Sequence, residues 1–540
     1  MTQSGDRRLI WAGWSVLIIS AAIVVIVPLI MLTRTSWLEG RGRLAQLLTE
    51  PGLGTAVVHS FELSAAVTAL AVPTGVGIAL MLRDPGLPGR AFWRAAMLLP
   101  LLIPDFVLGY SWLQAYARGG LTSEWFGFVW SGVQGAVGVA VIVAISAVPL
   151  VYLIIMVGLA TRAEPITERA AQMSGARAIT VLRTISLPLL APTIATAAVV
   201  VFVLTLGTFA VPQVIGTPAG FTTITTRIYA DLSYGSDPQS FVDATTLAVL
   251  LVIITLIVIA PADLLLGVRL QLRRTSTHDL DWPSGNPVSR TLKSLILAIY
   301  LIATAGLPLL ALVSAAITRA VGVPSTPANW TWDNFLAVLT PRTGAALVRS
   351  LLLSVSAASI LLILGLITGA LGRTRRGGWV SVLITLTLVL PGSTVAIGML
   401  LGYGRWLADT VMIILVAYVA KLWALAHRPL SAAVDRLPSA GLRAARASGA
   451  TLATGLGTVA LPLIRVALIT AWALCFLTAL HEVTMSSLLY GPGSETLAVV
   501  VLNSADLGRV GVTAALSVLV TLVVVLPAAA LWVLSRRARA

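Results

Sequence analysis

Residues 168–190 read ERAAQMSGARAITVLRTISLPLL, and residues 442–464 read LRAARASGATLATGLGTVALPLI. At a constant offset of 274, Ala170, Ala171, Ser174, Gly175, Ala176, Leu187 and Pro188 fall on Ala444, Ala445, Ser448, Gly449, Ala450, Leu461 and Pro462. The offset is about half of the 540 residues, so the chain is an internal duplication. The echo continues downstream. FTTITTRIYADL at 221–232 faces SETLAVVVLNSADL at 494–507, with Thr223 opposite Thr496 and Asp231 opposite Asp506 once small gaps are allowed.

Around these copies the chain is 58% hydrophobic and 11% charged, less than half the charged share of a soluble domain. That excludes a soluble enzyme, and the same apolar content excludes disorder. Apolar runs bounded by Arg, Pro and Gly give twelve spans, near 9–33, 56–82, 92–115, 133–158, 188–211, 244–268, 292–318, 347–371, 379–403, 408–427, 462–480 and 511–535. The fold class is an all-α integral membrane protein of about twelve transmembrane helices in two six-helix repeats. The halves are 1–270, with a repeat core at about 56–268, and 292–540, with a core at about 347–535, joined by a polar linker at 271–291. An even number of spans separates the copies, so the repeat is parallel, about an axis along the membrane normal.

The net charge is +15. With the N-terminus in the cytoplasm, 24 Lys and Arg fall in inside segments and 10 in outside ones, which puts both termini inside. In a membrane chain this excess reads as attraction to an anionic leaflet, not as nucleic-acid binding. The lone Cys475 excludes an internal disulfide. The first span lacks a cleavage site and reads as retained.

Each copy of the repeated segment lies in the longest cytoplasmic loop of its half. Pro165 and Pro438 suit a helix start, and Gly175 and Gly449 suit the left-handed residue past a helix end. Thirteen residues after each glycine, a Leu-Pro pair opens the next span. A short surface helix bearing small residues suits close approach by another protein; the alternative is a lipid-anchoring interfacial helix.

The pattern Glu-Ala-Ala, three residues, Gly, nine residues, Ile-x-Leu-Pro resembles the signature loop of inner-membrane permeases of binding-protein-dependent ABC importers, the type I importer fold. In that family the loop carries the coupling helix seated in the ATPase subunit. Ala170, Ala171, Gly175, Ile185, Leu187 and Pro188 match in the first half, and Ala444, Ala445, Gly449, Val459, Leu461 and Pro462 in the second. Arg169 and Arg443 stand at the glutamate position, with Glu168 one residue earlier in the first copy only. The resemblance implies two partner ATPase subunits on the cytoplasmic side, carrying the ATP and magnesium, with no cofactor in this chain. It also implies an extracytoplasmic substrate-binding protein and a bacterial inner membrane. The fused two-half form is most like the ferric-iron, thiamine and phosphonate group, which implies ferric iron or a similar small solute; polyamine is a further alternative.

No Gly-Lys-Ser/Thr phosphate loop, metal-ligand spacing or nucleophilic triad is present. A secondary transporter driven by an ion gradient is the competing reading, but that fold would place its longest cytoplasmic loop between spans six and seven. Pathway candidates are His481 and Glu482 in the outer half of the eleventh span, Thr208 opposite Glu482, and Asp105 after Pro104, where a helix break beside a cavity is expected. A structural ion pair is the alternative for His481 and Glu482. Glu62 reads as solvated vestibule, and Lys421 as snorkelling towards the cytoplasm.

Reporter fusions check the orientation. A fluorescent protein joined at residue 280 or after Ala540 is expected to fluoresce, and alkaline phosphatase inserted after Arg319 to be active; the reverse pattern would overturn it.

Overall fold

The computed structural model describes residues 2–38, 46, 51–162, 165–265, 287–372, 383–384, 387 and 390–537. Among them the fold is all α, with no strand and one isolated bridge between Thr318 and Trp330. In hydrocarbon every backbone N–H and C=O must find a partner, and a helix supplies partners within its own segment.

In the first half, α1 (Thr2–Ala21) passes through a π-turn at Ala22–Ile26 into α2 (Val27–Leu38), followed by α3 (Pro51–Leu82). The next crossing is broken into α4 (Arg90–Ala96), α5 (Leu99–Leu102), α6 (Asp105–Tyr116) and α7 (Leu121–Phe126). Then come α8 (Ala136–Arg162), the short α9 (Pro165–Met173), and α10 (Ala178–Val181), which runs through a π-turn at Leu182–Ser186 into α11 (Leu187–Leu206). The half closes with α12 (Ile224–Ser233) and α13 (Pro238–Leu265).

The second half repeats this order. A helix α14 (Pro287–Leu301) passes a π-turn at Ile302–Gly306 into α15 (Leu307–Ile317), then α16 (Asp333–Val338) and α17 (Pro341–Gly372). Next are α18 (Gly392–Leu407), α19 (Val411–Asp435), α20 (Ser439–Ala447) and α21 (Leu452–Gly455). A π-turn at Leu456–Ala460 leads into α22 (Leu461–Leu480), and α23 (Thr484–Leu489), α24 (Leu497–Asp506) and α25 (Val510–Arg537) complete the chain. Of the linker 271–291, residues 271–286 lie outside the described residues, and 287–291 already belong to α14.

Among the described residues ten helical stretches are long and apolar enough to cross a bilayer, and an eleventh is a pair bent by 97°, Arg90–Leu102 with Asp105–Phe126. That pair is the expected third span. The expected ninth span at 379–403 falls partly on 379–382, 385–386 and 388–389, outside the described residues, and α18 carries its remainder. Ile19, Ile257, Leu352 and Leu526 are exposed on the perimeter, as lipid contact requires. Trp37, Trp125, Trp332 and Trp406 are exposed at the end opposite α9 and α20, where an interfacial aromatic belt belongs.

The four π-turns that lead into spans share one cause, and a fifth, Pro212–Gly216, ends at Thr217-Pro218 in the same way. Each of the four is followed by an X-Pro pair: Val27-Pro28, Leu187-Pro188, Leu307-Pro308 and Leu461-Pro462. In each, the N–H of X reaches back five residues, to Ala22, Leu182, Ile302 and Leu456 respectively. In that register the next carbonyl should pair with the proline nitrogen, which has no hydrogen. The orphans in the first helix of each half are therefore Ile23 and Ala303. Each receives a tyrosine hydroxyl from the other half: Tyr403 on α18 donates to the Ile23 carbonyl, and Tyr116 on α6 to the Ala303 carbonyl, both at 2.6 Å. Trp112 Nε1 also donates to the Thr304 carbonyl at 3.2 Å. The first helix of each half thus packs across the other half, α2 on α18 and α15 on α6.

Interhelical hydrogen bonds in membranes contribute about 0.6 kcal/mol on average and about 1.7 at most. Tyr116→Phe and Tyr403→Phe should each lower stability by about 1 kcal/mol, adding in the double variant because the two bonds share no partner. Pro308→Ala should restore the Tyr116→Phe loss by supplying the missing N–H; unfolding midpoints in detergent read all three outcomes.

Candidate functional site

The repeated segments form the two short surface helices expected of them. Helix α9 ends in a Schellman turn: the Ala176 N–H bonds the Ala171 carbonyl at 3.0 Å, the Gly175 N–H bonds Gln172 at 2.9 Å, and Gly175 has φ 88°. In α20 the Ala450 N–H bonds the Ala445 carbonyl at 3.0 Å, and Gly449 has φ 80°. Both glycines occupy a conformation that an L side chain strains to adopt. Pro165 is the first residue of α9, whereas Pro438 immediately precedes α20. The π-turns at Leu182–Ser186 and Leu456–Ala460 lie exactly one repeat apart, between each helix and its span.

Arg169, Ala170 and Gly175 are exposed on the first helix, and Arg443, Ala444 and Gly449 on the second, with Ala171 and Ala445 half-buried. Leu187 and Leu461 begin α11 and α22, with Pro188 and Pro462 at their second positions. The sequence reading passed over Ile166 and Met173, which are 83% and 90% exposed. At spacings of four and three they flank Ala170 on one helical face, an apolar ridge pointing away from the bundle.

Glu168 behaves differently from its neighbour Arg169. Its side chain is 1% exposed, and one carboxylate oxygen accepts from Arg83 at 3.1 Å and from the Ser186 hydroxyl at 2.5 Å. Arg83 follows the end of α3, and Ser186 closes the π-turn below α11, so one carboxylate ties the surface helix to two spans. The tie extends further: Asp84 pairs with Lys293 of α14 at 2.7 Å, and Arg90 donates to the Leu82 and Arg83 carbonyls. In the second half Leu442 and Ala460 stand at the positions of Glu168 and Ser186. There α20 lies close to the π-turn below α22; a Cβ on Gly441 would stand 3.2 Å from Val459 Cγ1.

The pathway candidates collect around two matched helix breaks. Pro104 precedes α6 and Pro391 precedes α18, in the same extended conformation, with φ −55°, ψ 136° and φ −59°, ψ 145°. Asp105 opens α6 and is exposed. Gly207, just past α11, lies against the other half's break; a Cβ there would stand 3.3 Å from Pro391 Cβ. The carbonyl of Thr208 accepts the Thr225 hydroxyl at 2.6 Å.

His481 and Glu482 lie just beyond α22, which ends at Leu480, and not within it. Glu482 turns its carboxylate onto the first turn of α23, accepting the N–H groups of Met485 at 2.9 Å and Ser486 at 3.2 Å. Lys421 corrects the expectation of snorkelling. Halfway along α19, it donates its ammonium to the Leu390 carbonyl, the last before the Pro391 break. A carbonyl acceptor within the bundle removes any need to reach the aqueous surface.

At the end opposite α9 and α20, the matched helices α12 and α24 are each ten residues long and start from Thr223 and Thr496 as N-caps. Their first N–H groups, of Ile224 and Leu497, bond Ser60 of α3 at 3.0 Å and Ser350 of α17 at 2.8 Å. Equal lengths leave no gap, so Asp506 falls opposite Ser233 and not Asp231. Arg227 pairs with Asp231, Arg342 grips Glu495 with two nitrogens, and Arg349 donates to the Glu495 and Gly493 carbonyls. Glu62 is exposed. Among the described residues no group of three His, Cys, Asp or Glu is placed to hold a metal.

Removing one partner of a buried ion pair costs about 3–5 kcal/mol, because the other charge is left uncompensated. Glu168→Ala should therefore accelerate amide hydrogen exchange across 165–176 and leave 439–450 unchanged, as read by mass spectrometry on the intact protein.

A family model described as binding-protein-dependent transport system inner membrane component matches residues 71–268 and again 361–540. The ABC transporter permease protein y4fN of Sinorhizobium fredii is 24% identical over 536 residues, covering 93% of this chain and 91% of its own. The Fe(3+)-transport system permease protein FbpB 2 of Haemophilus influenzae is 25% identical over 505 residues, covering 90% and 91%. The molybdenum transport system permease protein ModB of Mycobacterium tuberculosis is 35% identical over 247 residues, 45% of this chain and 89% of its own. Two matches to one model, one in each half of a membrane-embedded duplicated fold, make the chain a member of the family of inner-membrane components of binding-protein-dependent transport systems, in a fused two-half form.

Proposed function

We propose that the chain forms the translocation path of an ATP-driven importer, with two ATPase subunits seated on α9 and α20 and a substrate-binding protein delivering solute at the opposite end. Both termini then lie on the cytoplasmic side of a bacterial inner membrane, and ATP and magnesium belong to the ATPases. The observation that carries this reading is the pair of exposed helices one repeat apart, each closed by a positive-φ glycine and each leading through a π-turn into a span. A helix joined in that way passes a push from its own surface to the span behind it. Asp105, Thr208, His481 and Glu482 then line the path where the two halves meet at the proline breaks.

Ferric iron is the solute class we favour. The relative named for Fe(3+) transport shares the two-half length of this chain, and the groups around the breaks include the carboxylates of Asp105 and Glu482 and the imidazole of His481. Carboxylate oxygens suit a hard cation. The higher identity of a molybdenum permease over one half-length supports molybdate as the second reading, although an oxyanion would prefer Arg or backbone N–H donors.

Two measurements test this. Ile166→Asp with Met173→Asp should reduce the ATPase co-purifying with the chain by about tenfold or more, as removal of an interface anchor does. Uptake of radiolabelled ferric iron and of radiolabelled molybdate in cells with and without the gene separates the solutes. Uptake that needs no ATPase and follows the proton gradient would replace the proposal with a secondary transporter.

A further inference from the structure

Between the two halves, at the end opposite α9 and α20, lies a cavity of about 360 Å³ lined by the chain after α6, the loop between α15 and α16, and the start of α25. Arg319 and Arg509 both line it. Both are exposed, and among the described residues neither guanidinium has a hydrogen-bond or ion-pair partner. By contrast, Arg227 is committed to Asp231, and Arg342 and Arg349 to Glu495 and its loop. Two arginines without a partner among the described residues therefore face one cavity.

Its walls are fixed. Asn334 donates to the carbonyls of Ala316 at 3.0 Å and Thr318 at 2.9 Å, and the hydroxyls of Ser314 and Thr318 both bond Ser325. Glu124, the one carboxylate among the lining residues, accepts the Ser325 N–H at 3.2 Å and so pins the loop from the other half. Two guanidinium groups on a held frame are suited to bidentate capture of carboxylates, and holding the frame in advance lowers the ordering cost of binding.

We infer that this cavity is a docking socket for acidic side chains on one lobe of the extracytoplasmic substrate-binding protein, with Arg319 and Arg509 as the groups that receive them. The inference rests on the importer reading above. The partner is an acidic protein surface and not a solute, because the cavity lies beside α15 and α25, away from the Pro104 and Pro391 breaks. Charge pairing at such a rim steers encounter and weakens with salt.

The test uses the full chain in phosphatidylcholine nanodiscs, with the binding protein encoded beside its gene as the probe and surface plasmon resonance as the readout. Arg319→Glu with Arg509→Glu should weaken binding about tenfold or more at physiological salt, and Arg319→Lys with Arg509→Lys much less. Exchanging Asp or Glu for Lys on the docking lobe should recover affinity for the Glu variant. Thermal midpoints equal to wild type show that the variants are folded. Unchanged affinity in the Glu variant overturns the inference. A loss seen only in nanodiscs containing phosphatidylglycerol overturns it in favour of a lipid headgroup. Failure of the wild-type chain to bind the probe counts against the importer reading itself.

Discussion

A backbone carbonyl inside hydrocarbon needs a donor, and proline cannot be one. Most of what distinguishes this structure from a plain bundle follows from that deficit. Proline after a π-turn leaves the carbonyls of Ile23 and Ala303 open, and tyrosines from the opposite half close them. Proline at the α18 break leaves the Leu390 carbonyl at the end of a segment, and the Lys421 ammonium closes it. Each of these three repairs draws on another element, so these breaks in one helix become fastenings to another. The two tyrosine repairs hold the halves together, whereas the Lys421 repair at the Pro391 break lies within the second half.

The duplication was legible because its marks are local chemistry. A glycine that must take positive φ, a run of Ala and a Leu-Pro pair declare a helix end and a helix start wherever they occur, and Gly175 and Gly449 did so twice at one spacing. The Pro104 break was legible for the same reason. The tyrosine fastenings were not, since Tyr116 and Ala303 are 187 residues apart and nothing near either one announces the other. Lys421 misled for a related reason: a lone lysine amid apolar residues points to the nearest water unless the fold supplies an acceptor. Glu168 looked like a displaced motif residue, yet its partner Arg83 lies 85 residues away.

The two surface helices are matched in shape and unequal in attachment. A buried carboxylate bound to two spans resists rocking of α9 about its own axis, and in the second half Leu442 stands at the position of that carboxylate. A single polypeptide permits this difference, because each half keeps its own copy of the sequence.

The tyrosine fastening also has an evolutionary consequence. Tyr116 donates to a carbonyl that Pro308 leaves without its helical N–H partner. Loss of the hydroxyl would expose a cost that loss of the proline can relieve, which couples the two positions across the midpoint of the chain. The same holds for Tyr403 and Pro28, in the opposite direction. Genes that have drifted far in overall identity should keep or lose these residues as pairs, and the duplicated halves stay answerable to each other after the rest of their sequences have diverged.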